Sequence, residues 1–181
     1  MEDFLSVASR RLILDRVTEH PGAHLREVAR RASLPLGTTL YHLDTLESAG
    51  FVVARRDGRY KRYFAPSGDL GRREKEVVSA LRHGTPRRIV ELLLACEPGL
   101  TQRELCARLG ASRSTLSFHT TALVALGVLE RVETRPEGTY RLVERDLVAT
   151  LFARYGASLQ GEQVLPTPGP SPAPAPAEVP A

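Results

Sequence analysis

Leu34-Pro35-Leu36-Gly37-Thr38-Thr39-Leu40-Tyr41-His42-Leu43-Asp44-Thr45-Leu46-Glu47-Ser48-Ala49-Gly50 runs directly into Phe51-Val52-Val53-Ala54-Arg55-Arg56-Asp57-Gly58-Arg59-Tyr60-Lys61-Arg62-Tyr63-Phe64. The two halves obey different periods. In the first, Thr39, Leu43, Leu46 and Gly50 recur at helical spacing and form a core stripe, and the glycine closes the helix. After Gly50 the period falls to two. Phe51 to Arg56 is strand-like, Asp57-Gly58 reads as a two-residue hairpin turn, and Arg59 to Phe64 returns. On this reading Arg56 faces Arg59 across the turn. A helix followed at once by a hairpin is the pattern that decides the fold.

Working outward, the chain matches itself at an offset of 77 residues without a gap. Arg10-Arg11-Leu12-Ile13 falls on Arg87-Arg88-Ile89-Val90, Pro21-Gly22 on Pro98-Gly99, and Arg26-Glu27-Val28 on Arg103-Glu104-Leu105. Tyr41-His42 falls on Phe118-His119, Gly50 on Gly127 and Tyr63 on Tyr140. The protein is therefore expected to be two copies of one small domain. Each copy reads as helix, helix, helix, hairpin. The first helices carry Leu12, Ile13 and Val17, or Ile89, Leu92, Leu93 and Cys96, and stop at the Pro-Gly pairs. Thr101-Gln102-Arg103-Glu104 reads as a capping box, with Leu100 stapling onto Leu105, and Ser112 is an N-cap for the third helix of copy two. Two helices joined by about four turn residues form helix-turn-helix punctuation, and the hairpin adds a wing.

The expected fold is mainly α with small β-hairpin wings. Two tandem winged helix-turn-helix domains are followed by a C-terminal helix and a disordered tail. Residues 1–66 form domain 1, and 67–143 form a linker helix, with Val77, Val78 and Leu81 on its face, and domain 2. Residues 144–160 place Val148, Leu151, Phe152, Tyr155 and Leu159 on one helical face. That face either packs on its own chain or joins two chains as a homodimer through Glu144–Leu159. Residues 161–181 are Pro/Ala-rich and expected to be disordered.

The third helix and the hairpin, above all Thr38-Thr39-Leu40-Tyr41-His42-Leu43 and Asp57-Gly58-Arg59-Tyr60-Lys61-Arg62-Tyr63-Phe64, carry a resemblance. The sequence resembles the archaeal winged helix-turn-helix transcriptional regulators with two tandem domains, relatives of the bacterial ArsR and MarR groups, over about residues 8–145. The resemblance implies sequence-specific binding of duplex DNA, with the third helix in the major groove and the wing on adjacent backbone. Copy two departs from the pattern in having Thr120 where copy one has Leu43, and in lacking the basic run of the wing.

The residues expected to touch DNA follow from exposure and chemistry. On the third helix of copy one, Thr38, Tyr41 and Thr45 lie opposite the core stripe and can bond phosphates or base edges, beside Asp44, which phosphate repels. In copy two the same face holds Arg113, Ser114, Thr115 and Phe118. Arg113 has the best chemistry for a guanine, since a bidentate Arg–guanine pair discriminates by roughly 1–3 kcal/mol. The first wing is the strongest charge signal. Five of its fourteen residues are basic, Arg55, Arg56, Arg59, Lys61 and Arg62, against Asp57 alone. Tyr60 sits near its tip. A solvated hairpin or helix face is the competing reading for each of these.

His42 and His119 are retained by the repeat and sit on the shoulder of the core stripe, where packing is the plainer role. Cys96 and Cys106 have neither Cys-x-x-Cys spacing nor a nearby histidine pair, so they read as core residues and no metal or cofactor is expected. Two cysteines exclude a disulfide framework and suit a reducing cytosol. No apolar run approaches the ~20 residues of a membrane span. Glycine-rich phosphate loops, carboxylate–histidine clusters and Gly-x-Ser-x-Gly are absent, which argues against an enzyme. A net charge of +4 permits an anionic partner without demanding one. The leading expectation is a cytoplasmic DNA-binding transcriptional regulator that touches the transcription machinery. The alternative is a protein-interaction scaffold of the kind found in chromosome-condensation or basal transcription complexes, favoured by the near-neutral second wing.

Overall fold

The computed structural model describes residues 7–66, 70–133 and 137–159. Three helices open the described residues, α1 (Ala8–Glu19), α2 (Leu25–Ala32) and α3 (Leu36–Ser48), with a two-residue strand β1 (Ala23–His24) between the first two. The wing follows as β2 (Val53–Asp57) and β3 (Tyr60–Phe64). After α4 (Arg72–Leu81), the same order returns as α5 (Gly84–Ala95), β4 (Leu100–Thr101), α6 (Gln102–Leu109), α7 (Arg113–Ala125), β5 (Leu129–Val132) and β6 (Thr139–Leu142). Helix α8 (Arg145–Leu159) ends the described chain. The two domains are thus tandem winged helix-turn-helix units, as the repeat indicates. Ser67 and Gly68 of the linker, and the tail beyond Gln163, lie outside the described residues.

The offset of 77 holds into the sheets. β1 pairs with β3 through Ala23↔Tyr63, and β4 with β6 through Leu100↔Tyr140. The wings share a register too, with Ala54↔Tyr63 matched by Arg131↔Tyr140. The third strands, β1 and β4, escape sequence reading because two residues show no period. Each third helix ends at a glycine in the left-handed region, Gly50 (φ 77) or Gly127 (φ 65). Thr101 and Glu104 form the expected capping box, and Ser112 Oγ accepts from Thr115 N at 3.1 Å. In copy one His24 takes the capping role instead, its Nδ1 accepting from Glu27 N at 3.1 Å.

The hairpin turn corrects the sequence reading by one residue. Asp57 pairs with Tyr60, and Arg56 with Lys61, so the two-residue turn is Gly58-Arg59 and not Asp57-Gly58. Gly58 has positive φ, as a turn with glycine at its first central position requires. Asp57 belongs to the strand because its carboxylate has a better use there, described below.

Two cores meet. Ile13, Val17, Val28, Leu43, Leu46, Val52 and Tyr63 fill the first. The second gathers Ile89, Leu93, Leu105, Leu116, Leu123 and Val128 together with Val77, Val78 and Leu81 of α4 and Val148, Leu151, Tyr155 and Leu159 of α8. Phe64, at the end of the first wing, also belongs to it. Thr120, the departure from Leu43, is buried with its hydroxyl donating to Leu116 O at 3.0 Å, so its polarity is satisfied within its own helix. The apolar face of α8 is covered by the protein's own second core. Of the two fates open to that face, packing on its own chain is the one the structure shows.

Gly22 stands where the domains converge. Its φ is 76, and a Cβ there would come within 3.2 Å of both Phe64 and Arg82. Its carbonyl accepts from Arg62 Nη1 at 3.1 Å. A side chain would oppose both the backbone twist and the approach of these three residues.

Candidate nucleic-acid interface

The outer face of α3 carries Thr38 and Tyr41 in the open, Tyr41 being 63% exposed. Thr45 is half-buried, and its hydroxyl donates to Tyr41 O at 2.7 Å. This face is short of positive charge. Helix α3 contains no Lys or Arg but has Asp44 and Glu47, and it leaves Leu36 and Leu40 exposed. Beneath it, His42 is buried and its edge meets Tyr41. Burial, reinforced by the charge of Arg10, pushes the His42 imidazole below its usual pKa.

The first wing has charged partners on both faces. Paired residues in antiparallel strands share a face. On one side Tyr63 enters the first core, and Lys61 reaches Glu47 at 2.7 Å and Asp44 at 3.8 Å. The hydrogen bond to Glu47 holds the lysine above its usual range. On the other side Arg62 is 0% exposed. Its Nε donates to Asp57 at 2.5 Å, and Asp57 also lies 3.0 Å from His83 Nε2, just before α5. Burial alone would raise the Asp57 pKa, but hydrogen bonds and charge from His83 and Arg62 outweigh it and bring it to about 2.

The charge count of the wing therefore overstates what it offers an outside partner. Arg62 is removed from the expected DNA-contacting set, because a guanidinium buried against Asp57, His83 and Gly22 cannot reach a phosphate. Lys61 is half-exposed but engaged by two carboxylates. Arg55 lies 3.8 Å from Glu76. Arg56 and Arg59 remain exposed at the tip, with Arg59 beside the Tyr60 ring at 5.4 Å. Tyr60 itself stacks on His24 at 5.2 Å and is only partly exposed.

In copy two the N-terminus of α7 is open. Arg113, Ser114 and Thr115 are exposed, with the Ser112 hydroxyl 2.9 Å from Ser114 Oγ and 2.8 Å from Thr115 Oγ1. Phe118 is 72% exposed, its ring edge against His119. Helix α7 contains no acidic residue. Its own wing, by contrast, is internally neutral: Arg141 reaches Glu130 at 2.5 Å and Arg131 reaches Glu133 at 3.4 Å.

Sequence reasoning did not find the cleft of about 390 Å³ between the first wing and α7. Arg55 and Arg56 line one wall, Phe118, Ala122 and Leu126 the other, and Ser79, His83 and Pro86 complete it. No local signal pairs a wing with a helix sixty residues away. His119 also lines it; burial first, and then the charge of His83, lowers its pKa. Among the described residues, no cluster of three or more His, Cys, Asp or Glu could hold a metal ion, and no helix is long and apolar enough to cross a membrane. Cys96 and Cys106 are free and packed against the second core.

Residues 7–78 match the family model of an N-terminal HTH domain, and residues 82–130 match that of a winged helix-turn-helix DNA-binding domain. An uncharacterized HTH-type transcriptional regulator of Methanocaldococcus jannaschii is 27% identical over 125 residues, which cover 69% of this chain but 31% of that protein. The crystal structure of the DIP2311 protein from Corynebacterium diphtheriae aligns with 78% of this chain and 27% of its own at 17% identity, with a TM-score of 0.30.

Proposed function

We propose that this chain, a tandem pair of winged helix-turn-helix domains similar to an archaeal HTH-type transcriptional regulator, is itself a transcriptional regulator that binds duplex DNA. The observation that carries the reading is the N-terminus of α7. It offers an exposed arginine and three hydroxyls where a helix-turn-helix meets base edges, with no acid on the helix to repel phosphate. Arg113 is the specificity residue, and Ser114 and Thr115 donate to the adjoining backbone. Arg56 and Arg59 supply phosphate contacts from the first wing. Thr38, Tyr41 and Thr45 supply weaker ones from α3. The regulator acts by excluding or recruiting transcription machinery at the bound site.

Selecting bound sequences from a random duplex pool tests this directly. Enrichment of a defined motif, lost or relaxed in Arg113→Ala, is the expected result. No enrichment would shift the balance to the scaffold reading. One observation favours that second reading for copy one alone: α3 exposes Leu36, Leu40 and Tyr41 beside Asp44, a surface better matched to protein than to phosphate.

A further inference from the structure

We propose that the first wing serves the third helix of the other domain: Arg56 and Arg59 hold the phosphates that flank the groove entered by Arg113. This rests on the duplex-DNA reading above and deepens it. Each domain alone lacks half of a DNA-binding module. Helix α3 has a basic wing beside it, but its own Asp44 and Glu47 repel phosphate and neutralise Lys61, the wing cation nearest to it. Helix α7 has Arg113 and no acid, but the cations of its own described wing, Arg131 and Arg141, are held by Glu133 and Glu130. One domain has phosphate contacts without a matching reading helix; the other has the helix without the phosphate contacts.

The fold sets these two halves side by side. The face of the first wing that carries Arg55, Asp57 and Arg62 is turned toward copy two, and β2 and the flank of α7 are opposite walls of one cleft. Two carboxylates, Asp57 and Glu76, also line it. Both are already engaged, Asp57 by Arg62 and His83, and Glu76 by Arg72 at 3.2 Å and Arg55 at 3.8 Å. Arg56 pairs with Lys61 and so belongs by register to the wing's other face, but it also lines the cleft, is exposed and has no partner among the described residues, which leaves one uncompensated cation at the lip. The placement is also fixed. Asp57 is tied to His83 at 3.0 Å, and buried Glu27 of α2 to buried Arg82 at 2.6 Å, so the first domain as a whole cannot swing away from the start of α5 without breaking both pairs. Phe118, five residues along α7 from Arg113, lines the same cleft as Arg56, which sets the wing beside the helix that carries Arg113.

The full chain on a duplex taken from the random pool tests this. A tethered iron chelate on Arg59→Cys, in a chain that also carries Cys96→Ser and Cys106→Ser, cuts the nearest backbone. A panel of single-base variants locates the position whose preference Arg113→Ala relaxes, by about five- to 150-fold if a bidentate guanine contact is lost. The proposal expects the cuts within about five base pairs, half a helical turn, of that position. It also expects Arg56→Ala with Arg59→Ala to weaken all sequences alike. Cuts a full turn or more away overturn it, as does an Arg113→Ala chain with unchanged preference. So does a result in which Tyr41→Ala, and not Arg113→Ala, changes the preference beside the cuts, because the wing then serves its own domain. Failure to bind any duplex removes the DNA reading itself, whereas binding with remote cuts removes only the shared wing.

Discussion

Arg82, at the end of the helix that joins the domains, places Nη1 2.6 Å from Oε2 of Glu27 in the first domain, and both side chains are buried, at 1% and 4% exposure. The pair does not stand alone. Arg82 Nε donates to Pro21 O at 2.9 Å, and Arg31 donates to the other Glu27 oxygen at 3.0 Å while its Nη2 donates to Ser158 O on α8 at 3.1 Å. Glu27 is thus gripped by a cation from its own domain and one from the linker. Burial alone would raise its pKa, but the charge and hydrogen bond of Arg82, then Arg31, outweigh it and lower it. The two domains are joined through charge as well as through the shared core.

Removing one partner leaves a buried, uncompensated charge. Arg82→Ala should destabilise the chain by about 3–5 kcal/mol, and Glu27→Ala by a similar amount. The double mutant should cost clearly less than the sum, because the second removal relieves the orphan left by the first. Urea unfolding of the three variants measures this. Additive losses would mean that the two residues act separately and that the pair does not couple the domains.

Asp57 gives the fold an acid-sensitive point. Its folded pKa of about 2 lies below the ordinary 3.8, so its contribution is fully present above pH 3.8 and is lost as pH falls through about 2. The shift corresponds to about 2 kcal/mol at neutral pH. Asp57→Asn should therefore be less stable than the parent at pH 7 by roughly that amount, plus any hydrogen-bond loss. The gap between them should close between pH 4 and pH 2. Denaturant melts at each pH give the curve; a gap that persists at pH 2 assigns the loss to packing instead of charge.

Helix α8 is a structural part of the second domain. Leu151 is 4% exposed and packs with α4 in the second core. Leu151→Ala should cost about 2–5 kcal/mol, as for other large-to-small core changes. A chain ending at Val143 should lose more and expose the α4 surface. Sedimentation should find it aggregating or less folded, not changed cleanly from dimer to monomer. A truncated chain that melts like the parent would show that the helix contributes nothing to the core.

The local features were readable because they are local. Thr101 and Glu104 cap α6 from three residues apart, Gly50 and Gly127 close their helices in the left-handed region, and the offset of 77 predicts the second domain from the first. Surface charge was readable only as composition. Strand alternation puts Arg62 on the face of Arg55 and Asp57, but whether that face meets solvent depends on where His83 and copy two dock. The same holds for Lys61, whose partners Asp44 and Glu47 are visible in the sequence as acids but not as neighbours. The site residues that misled were those whose environment is built by another domain or by a helix packed across the sheet.

That distinction is measurable in the salt dependence of DNA binding. Each phosphate contact adds about 0.9 to the slope of log affinity against log salt. Arg56 and Arg59 are exposed, so replacing both by alanine should flatten the slope by about two units and weaken all sequences alike. Lys61→Ala should move the slope by less than one unit, because its charge is already answered by Glu47 at 2.7 Å. Its loss should instead weaken binding by uncovering two carboxylates. Arg62→Ala should show its effect in the thermal melt, since it takes the buried guanidinium from Gly22 O and from Asp57, leaving Asp57 with His83 alone. Salt titrations of the four proteins separate these outcomes. A slope change from Lys61→Ala equal to half that of the Arg56 and Arg59 double variant would mean that the wing's internal ion pairs open on the duplex, and that its full run of charge reaches phosphate.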